Sequence, residues 1–347
     1  MTASQTGRAY IGSFTAAGGR GIVTAAHDRR DGSLTLLDAT DELPDPSYLT
    51  LSRAGDLLYA VSETEDGAVA AFRTDSAPLA LAAPPVQVDG ASPTHLSVWD
   101  GHVLTANYGS GSVSSVPLRA DGIPGTIAAA HRHTGSGPHP QRQQAPHAHQ
   151  ILPDPTGTWA LAVDLGTDSV HTYAKGPEGD GLRPHHETAL RPGSGPRHLA
   201  FHPSGDYVYV LNELAPTLTV CAWDATDGVL KPLTEIPVLT GAPAGDAYPS
   251  AIVVDSDGRF LWTATRGADL LSLFALDTSG EQPTLHGTVP CGGNWPRDLA
   301  LDPSGRYLYA ANERSGDVTW FALDHASGVP VRGGSVPVPS PSCVVFA

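Results

Sequence analysis

One phrase recurs along the chain and constrains the fold more than any other feature. Its clearest copies are PSYLTLSRAGDLLYAVSE from Pro46, PRHLAFHPSGDYVYVLNE from Pro196, PSAIVVDSDGRFLWTATR from Pro249 and PRDLALDPSGRYLYAANE from Pro296. Looser copies begin at Pro93 (PTHLSVWDGHVLTANY) and Ala148 (AHQILPDPTGTWALAVDL), and a truncated one, PSCVVFA, begins at Pro341. Successive starts lie 45 to 55 residues apart, the spacing of propeller blades rather than of a helical solenoid.

Within each copy two runs of alternating apolar residues flank a turn such as Pro-Ser-Gly, the pattern of a β-hairpin. A third strand follows, as in GSVSSVPL (111–118), DSVHTYAK (168–175), TLTVCAWD (217–224), DLLSLFALD (269–277) and DVTWFALD (317–324), and then a weaker fourth. The C-terminal copy holds only an inner strand, whereas the N-terminal stretches 9–14, 21–27 and 33–39 lack one. Joining them completes a seventh blade and removes open sheet edges. An open solenoid would need polar capping repeats instead. The sequence therefore predicts an all-β, seven-bladed β-propeller of four-stranded antiparallel blades. It forms a single domain over residues 1–347, with the closing blade shared by the N- and C-termini.

Composition narrows the function. Twenty basic against 36 acidic residues give a net charge of −16, which argues against nucleic acid and anionic membranes as partners. The stretch MTASQTGRAYIG has no basic run followed by an apolar one, and no long apolar segment follows, so a cytoplasmic location is expected. Cys221, Cys291 and Cys343 are odd in number and far apart, the pattern of buried free thiols rather than of a disulfide framework or CxxC zinc binding.

The repeat also locates a site. The residue after each opening Pro and the residue that ends the second strand fall at the same end of a blade. The first position reads Ser47, Thr94, His149, Arg197, Ser250, Arg297 and Ser342 around the ring; the second reads Glu63, Tyr108, Leu165, Glu213, Arg266 and Glu313, with blade 7 left ambiguous. Converging arginines in an acidic protein mark a local anion site, because guanidinium forks match carboxylate and phosphate oxygens. The bland alternative pairs Arg197 with Glu213 and Arg297 with Glu313 inside their blades. Arg266 has no such partner in its own blade and is the strongest single candidate. Since other blades carry Ser, Thr or Leu at these positions, replacing Arg197 or Arg266 is expected to cost little stability.

The connection HRHTGSGPHPQRQQAPHAH (131–149) is longer than its neighbours, and long loops in compact folds are often functional. His147 and His149, two apart, would face the same side of a strand, a spacing that can ligate metal. No second ligand pair at a convincing spacing supports that, and a metal-free, cofactor-free site is expected. His95 and His198 read as structural imidazoles bonded to backbone in the ring.

The segments PTHLSVWDGHVLTANYGSGSVSSVPL, RQQAPHAHQILPDPTGTWALAVDLG, GPRHLAFHPSGDYVYVLNE and TRGADLLSLF resemble the lactonase-family seven-bladed propellers, which include propeller-type 6-phosphogluconolactonases and carboxy-cis,cis-muconate cyclases. The resemblance runs from about Tyr10 onward and implies His149 or His147, Arg197, Glu213 and Arg266 as catalytic residues. His147, Arg297, Glu63, Glu313 and Tyr108 are expected to bind substrate. It implies a metal-independent lactonase acting on an anionic sugar lactone, foremost 6-phosphoglucono-1,5-lactone, with His149 or Glu213 as general base. A histidine base places the acid limb of activity at about pH 6 to 7. A muconate-type or other sugar-lactone activity on the same residues is one alternative. A non-catalytic scaffold for a protein partner is the other, disfavoured by the charged rim and by the lack of a Trp-Asp signature repeated at the strand ends of the blades. A monomer is favoured.

Overall fold

The computed structural model describes residues 6–176, 181–243 and 245–347; residues 1–5, part of the N-terminal stretch read above, lie outside them. Seven antiparallel sheets stand around a common axis. Numbered from the copy at Pro46, blade 4 is typical, with Pro196–Phe201 innermost, then Tyr207–Asn212, Thr217–Asp224 and Val229–Pro237. The two middle strands are buried along nearly their whole length, which is why they read as near-continuous apolar runs. Outer strands such as Leu182–Ala189 are mostly exposed and read as polar.

The closing blade has the order Pro341–Phe346, Thr6–Ser13, Ile22–Asp28, Leu34–Thr40, with Ile11 opposite Val344 and Gly12 opposite Cys343. Blade 1 departs from the regular pattern. Its outer edge is split into Ala80–Leu81 and Val86–Gln87, both paired to Ala68–Arg73, because Pro84 and Pro85 between them offer no N–H to the ladder.

The core lies between blades. Leu211, Leu218 and Val220 of blade 4 pack on Ile252, Leu261 and Phe274 of blade 5, and six comparable clusters serve the other junctions. An aromatic of the second strand often ties its blade to the next. Tyr59, Tyr209 and Tyr309 donate their hydroxyls to the carbonyls of Gly122, Gly280 and Gly32 at 2.6–2.7 Å, and Trp159 and Trp262 donate Nε1–H to Ala225 and Gly328. All three cysteines are buried and free. No helix among the described residues is long and apolar enough to cross a membrane.

Candidate active site

The site is built from a feature of register. In six blades the inner strand slips by a bulge at or next to the residue after its opening residue, so that Thr94, His149, Arg197, Ser250, Arg297 and Ser342 fall out of the ladder. A bulged residue is released from strict alternation and its side chain is re-aimed. The second rim position is fixed as regularly. Glu63, Tyr108, Leu165, Glu213 and Glu313 each donate their backbone N–H to the residue preceding the opening residue of their blade. Phe14 does the same to Ser340, which makes Phe14 the blade 7 member that the sequence left ambiguous.

Glu213 is the centre of charge. Its Oε1 accepts from Arg142 Nη2 at 2.7 Å, and its Oε2 lies 3.1 Å from Arg197 Nε and 2.6 Å from Arg266 Nη2. The last two are ion pairs without aligned hydrogen bonds, so both arginines keep N–H capacity for another acceptor. Burial raises the Glu213 pKa, but Arg266, Arg197 and Arg142 outweigh it and hold the carboxyl at about 2. Burial, then Arg266, press against the charge of Arg197; a guanidinium nevertheless keeps its proton far above neutrality, and Glu213 neutralises it in place. Arg197 also donates through Nη1 to the carbonyl of Ser250. Arg297 sits between Glu313 at 3.2 Å and Glu63 at 3.6 Å, with its guanidinium 4.8 Å from the Phe14 ring centroid.

Both within-blade pairs considered from sequence therefore form, and Arg266 finds its partner in the preceding blade. The expectation that these arginines are dispensable for stability does not hold. The side chains of Arg197 and Arg266 are only 2% and 8% exposed, so removing either breaks a buried ion pair with Glu213 and empties the space it filled.

Tyr108 gathers the histidines. His147 stacks on its ring at 4.4 Å and bonds its carbonyl through Nδ1, while His149 meets the ring edge-on at 5.6 Å. The same-face argument for His147 and His149 fails, because His147 precedes the strand Ala148–Pro153 and His149 is the bulged residue; a shared neighbour brings them together instead. His149 Nδ1 is buried without a partner among the described residues. Burial, then Arg197, hold its pKa well below the ordinary 6.5, which moves the expected acid limb below the 6 to 7 range. His95 does not bond backbone: neither nitrogen has a partner among the described residues, and the ring packs on Tyr48 at 4.2 Å and His198 at 5.9 Å. Asp298, deeper in the channel, is pushed up to about 7 by burial.

Sequence reasoning missed Arg142. It lies in the 131–149 loop, where its own charge beside Gln141 and Gln143 was the available signal. Its placement depends on buried Gln143, whose Nε2 donates to Leu165 O at 2.8 Å and Asp168 Oδ1 at 2.7 Å. Arg142 Nη2 also reaches the Tyr108 hydroxyl at 3.2 Å.

Among the described residues, His133, Asp164 and His171 bring metal-ligating atoms within 4.8 Å of one another. Both nitrogens of His133 are taken, by Asp164 at 2.6 Å and the Tyr173 hydroxyl at 2.7 Å, and Asp164 Oδ1 accepts the backbone N–H of His147 at 2.8 Å. The cluster reads as a brace for the loop bearing His147.

A ring of inward charges on a closed propeller defines the class, and the comparisons agree. Residues 8–346 match the family model of the lactonase seven-bladed β-propellers. The chain is 34% identical over 278 residues to the 6-phosphogluconolactonase of Bacillus subtilis, covering 78% of each protein. It superimposes on the periplasmic gluconolactonase of Pseudomonas aeruginosa with a TM-score of 0.92 at 31% identity, over 99% of both chains. A Lactobacillus plantarum protein gives 0.91 at 29% identity, again over 99% of both. The chain belongs to the lactonase family of seven-bladed β-propellers. It is a lactone-hydrolysing carboxylic-ester hydrolase.

Proposed function

We propose that the chain opens a phosphorylated sugar δ-lactone, foremost 6-phosphoglucono-1,5-lactone, to the corresponding acid in the cytoplasm. The observation that carries this reading is the convergence of Arg142, Arg197 and Arg266 on one buried carboxylate, beside an unpartnered imidazole. The names of the Bacillus and Pseudomonas relatives support a sugar lactone as substrate.

His149, neutral at pH 7, takes a proton from water as the water oxygen attacks the lactone carbonyl carbon. The carbonyl oxygen becomes an oxyanion that Arg266 and Arg142 stabilise with N–H groups already in place. Collapse re-forms the carbonyl and breaks the bond to the ring oxygen, which receives the proton from His149 and leaves as a hydroxyl. Glu213, held ionised by three arginines, is a poor base. It fixes the guanidiniums at the position where negative charge develops. Tyr108 and His147 line one side of the site, and Arg297 with Glu63 and Glu313 the other.

The test is hydrolysis of 6-phosphoglucono-1,5-lactone and glucono-1,5-lactone followed by proton release and corrected for spontaneous opening. A rate above background that falls at least tenfold in Arg266→Ala and at least 100-fold in His149→Gln is expected. No acceleration of either lactone by the wild type would overturn the reading in favour of a scaffold.

A further inference from the structure

In five of the six blades that open on Pro, all but that of Pro249, the preceding residue occupies a special backbone position. Asp45, Ser92, Gly195, Trp295 and Ser340 all have positive φ, between 43° and 66°. Small or short polar side chains suit that left-handed conformation; a bulky aromatic does not. Trp295, at φ 66°, is therefore the exception, and the structure holds it deliberately. Asp269 Oδ1 accepts the Trp295 backbone N–H at 2.7 Å, while Asp269 Oδ2 takes the side-chain amide of Asn294. The same brace in blade 4, Asp168 to the N–H of Gly195 at 2.7 Å, serves a glycine. Strain of this kind maintained against the repeat points to a role for the side chain.

The indole holds guanidiniums. The Arg314 guanidinium carbon lies 3.3 Å from the Trp295 ring centroid, flat-stacking distance, and that of Arg266 lies 5.6 Å from the same ring. Arg314 also departs from the repeat: its counterparts one residue past the second rim position are Thr15, Thr64, Gly109, Gly166, Leu214 and Gly267. It is exposed and has no carboxylate partner among the described residues, so its charge is uncompensated yet its orientation is fixed. The rim arginines 142, 197, 266 and 297 face the carboxylates of Glu63, Glu213 and Glu313, an excess of one positive charge. Arg314 adds a further positive charge at the edge of this rim, of the sign that a phosphate monoester, about −1.5 to −2 at neutral pH, requires.

We propose that Arg314, stacked on Trp295, is the subsite that takes the phosphate of a phosphorylated lactone and so sets the preference over the unphosphorylated one. The inference rests on the lactonase reading above and adds to it a binding residue outside the set that the family resemblance implies. A planar guanidinium held on an aromatic face presents its N–H edge to phosphate oxygens with little rotamer entropy to lose. Arg266, touching the same indole, is thereby linked to the phosphate end of the substrate while it faces Glu213.

The experiment measures the ratio of kcat/KM for 6-phosphoglucono-1,5-lactone to that for glucono-1,5-lactone in the wild type, R314Q, R314K and W295A. R314Q is expected to lower the ratio at least tenfold through KM, R314K to recover part of it, and W295A to lower it in the same direction. An R314Q ratio equal to wild type, or a wild type with no preference, overturns the subsite while leaving the lactonase reading standing. If the wild type opens neither lactone, titration calorimetry with 6-phosphogluconate decides instead. At least tenfold weaker binding by R314Q supports the subsite; equal binding, or none by the wild type, overturns it.

Discussion

At the scale of single residues, His149 and Glu213 are told apart by what surrounds them. Burial and Arg197 favour the neutral imidazole, so an enzyme that uses His149 as base stays active below pH 6.5 and loses kcat/KM only as pH falls through the depressed value. Arg266, Arg197 and Arg142 hold Glu213 ionised, its pKa lowered against burial to about 2. His149→Gln is expected to lose activity at least 100-fold, the common worth of a general base, whereas Glu213→Gln keeps a residual rate whose acid limb still belongs to the histidine. A His149→Gln enzyme with wild-type rate and limb removes the histidine from the chemistry. Stability separates the arginines in a different order. Arg197→Ala is expected to cost about 2–3 kcal/mol in urea unfolding, less than a broken isolated pair because Glu213 keeps two partners. Arg142→Ala, whose side chain is 35% exposed, costs about 1 kcal/mol or less. Equal losses for the two would show that burial does not decide the energy of this cluster.

At the scale of elements, the second strands carry both the packing and the ties between blades. Tyr209→Phe removes the hydroxyl that Gly280 O accepts at 2.6 Å and leaves a carbonyl without its partner, an expected loss of about 1–2 kcal/mol. Tyr207→Phe, two residues away on the same face but bonded to the exposed Glu281, is expected to leave the denaturation midpoint unchanged. Identical midpoints for the two variants would remove the tie from the stability of the ring. Much of this was legible in the sequence, since the near-continuous apolar run in GDYVYVL marks a middle strand buried on both faces and counting from the opening Pro places Arg197 and Glu213 at one rim. The bulges were not legible, because alternation reports the face of a strand and not a one-residue slip in its partner. Nor was the gathering of Arg142, Arg197 and Arg266 on Glu213, which is set by how neighbouring blades are wedged together. Phe14 was hidden because its phrase is divided between Ser13 and Pro341, at opposite ends of the chain.

At the scale of the whole molecule, the closing strand Pro341–Phe346 converts seven wedges into a ring, and Asp298 sits against it. Removing residues 341–347 bares the inner edge of Thr6–Ser13, a row of unpaired backbone groups. Such a chain is expected to self-associate in size-exclusion chromatography and to lose the wild-type melting transition; a monomer with unchanged Tm would mean that the interblade clusters alone hold the ring. In the intact ring Asp298 Oδ2 accepts the N–H of Val344 at 3.3 Å. Burial nonetheless pushes its carboxyl up to about 7, with Val344 and Arg197 opposing. The folded state thus keeps a proton that the unfolded chain, titrating at about 3.9, releases. Its contribution to stability is fully present below about pH 4 and is lost as pH rises through about 7. At about 1.4 kcal/mol per unit, the loss between pH 5 and pH 8 is about 2–3 kcal/mol. Asp298→Asn, which cannot ionise and retains an oxygen for Val344, removes that slope. Its Tm advantage over the wild type should therefore be larger at pH 8 than at pH 5, and parallel curves across that range would show that Asp298 does not titrate inside the ring.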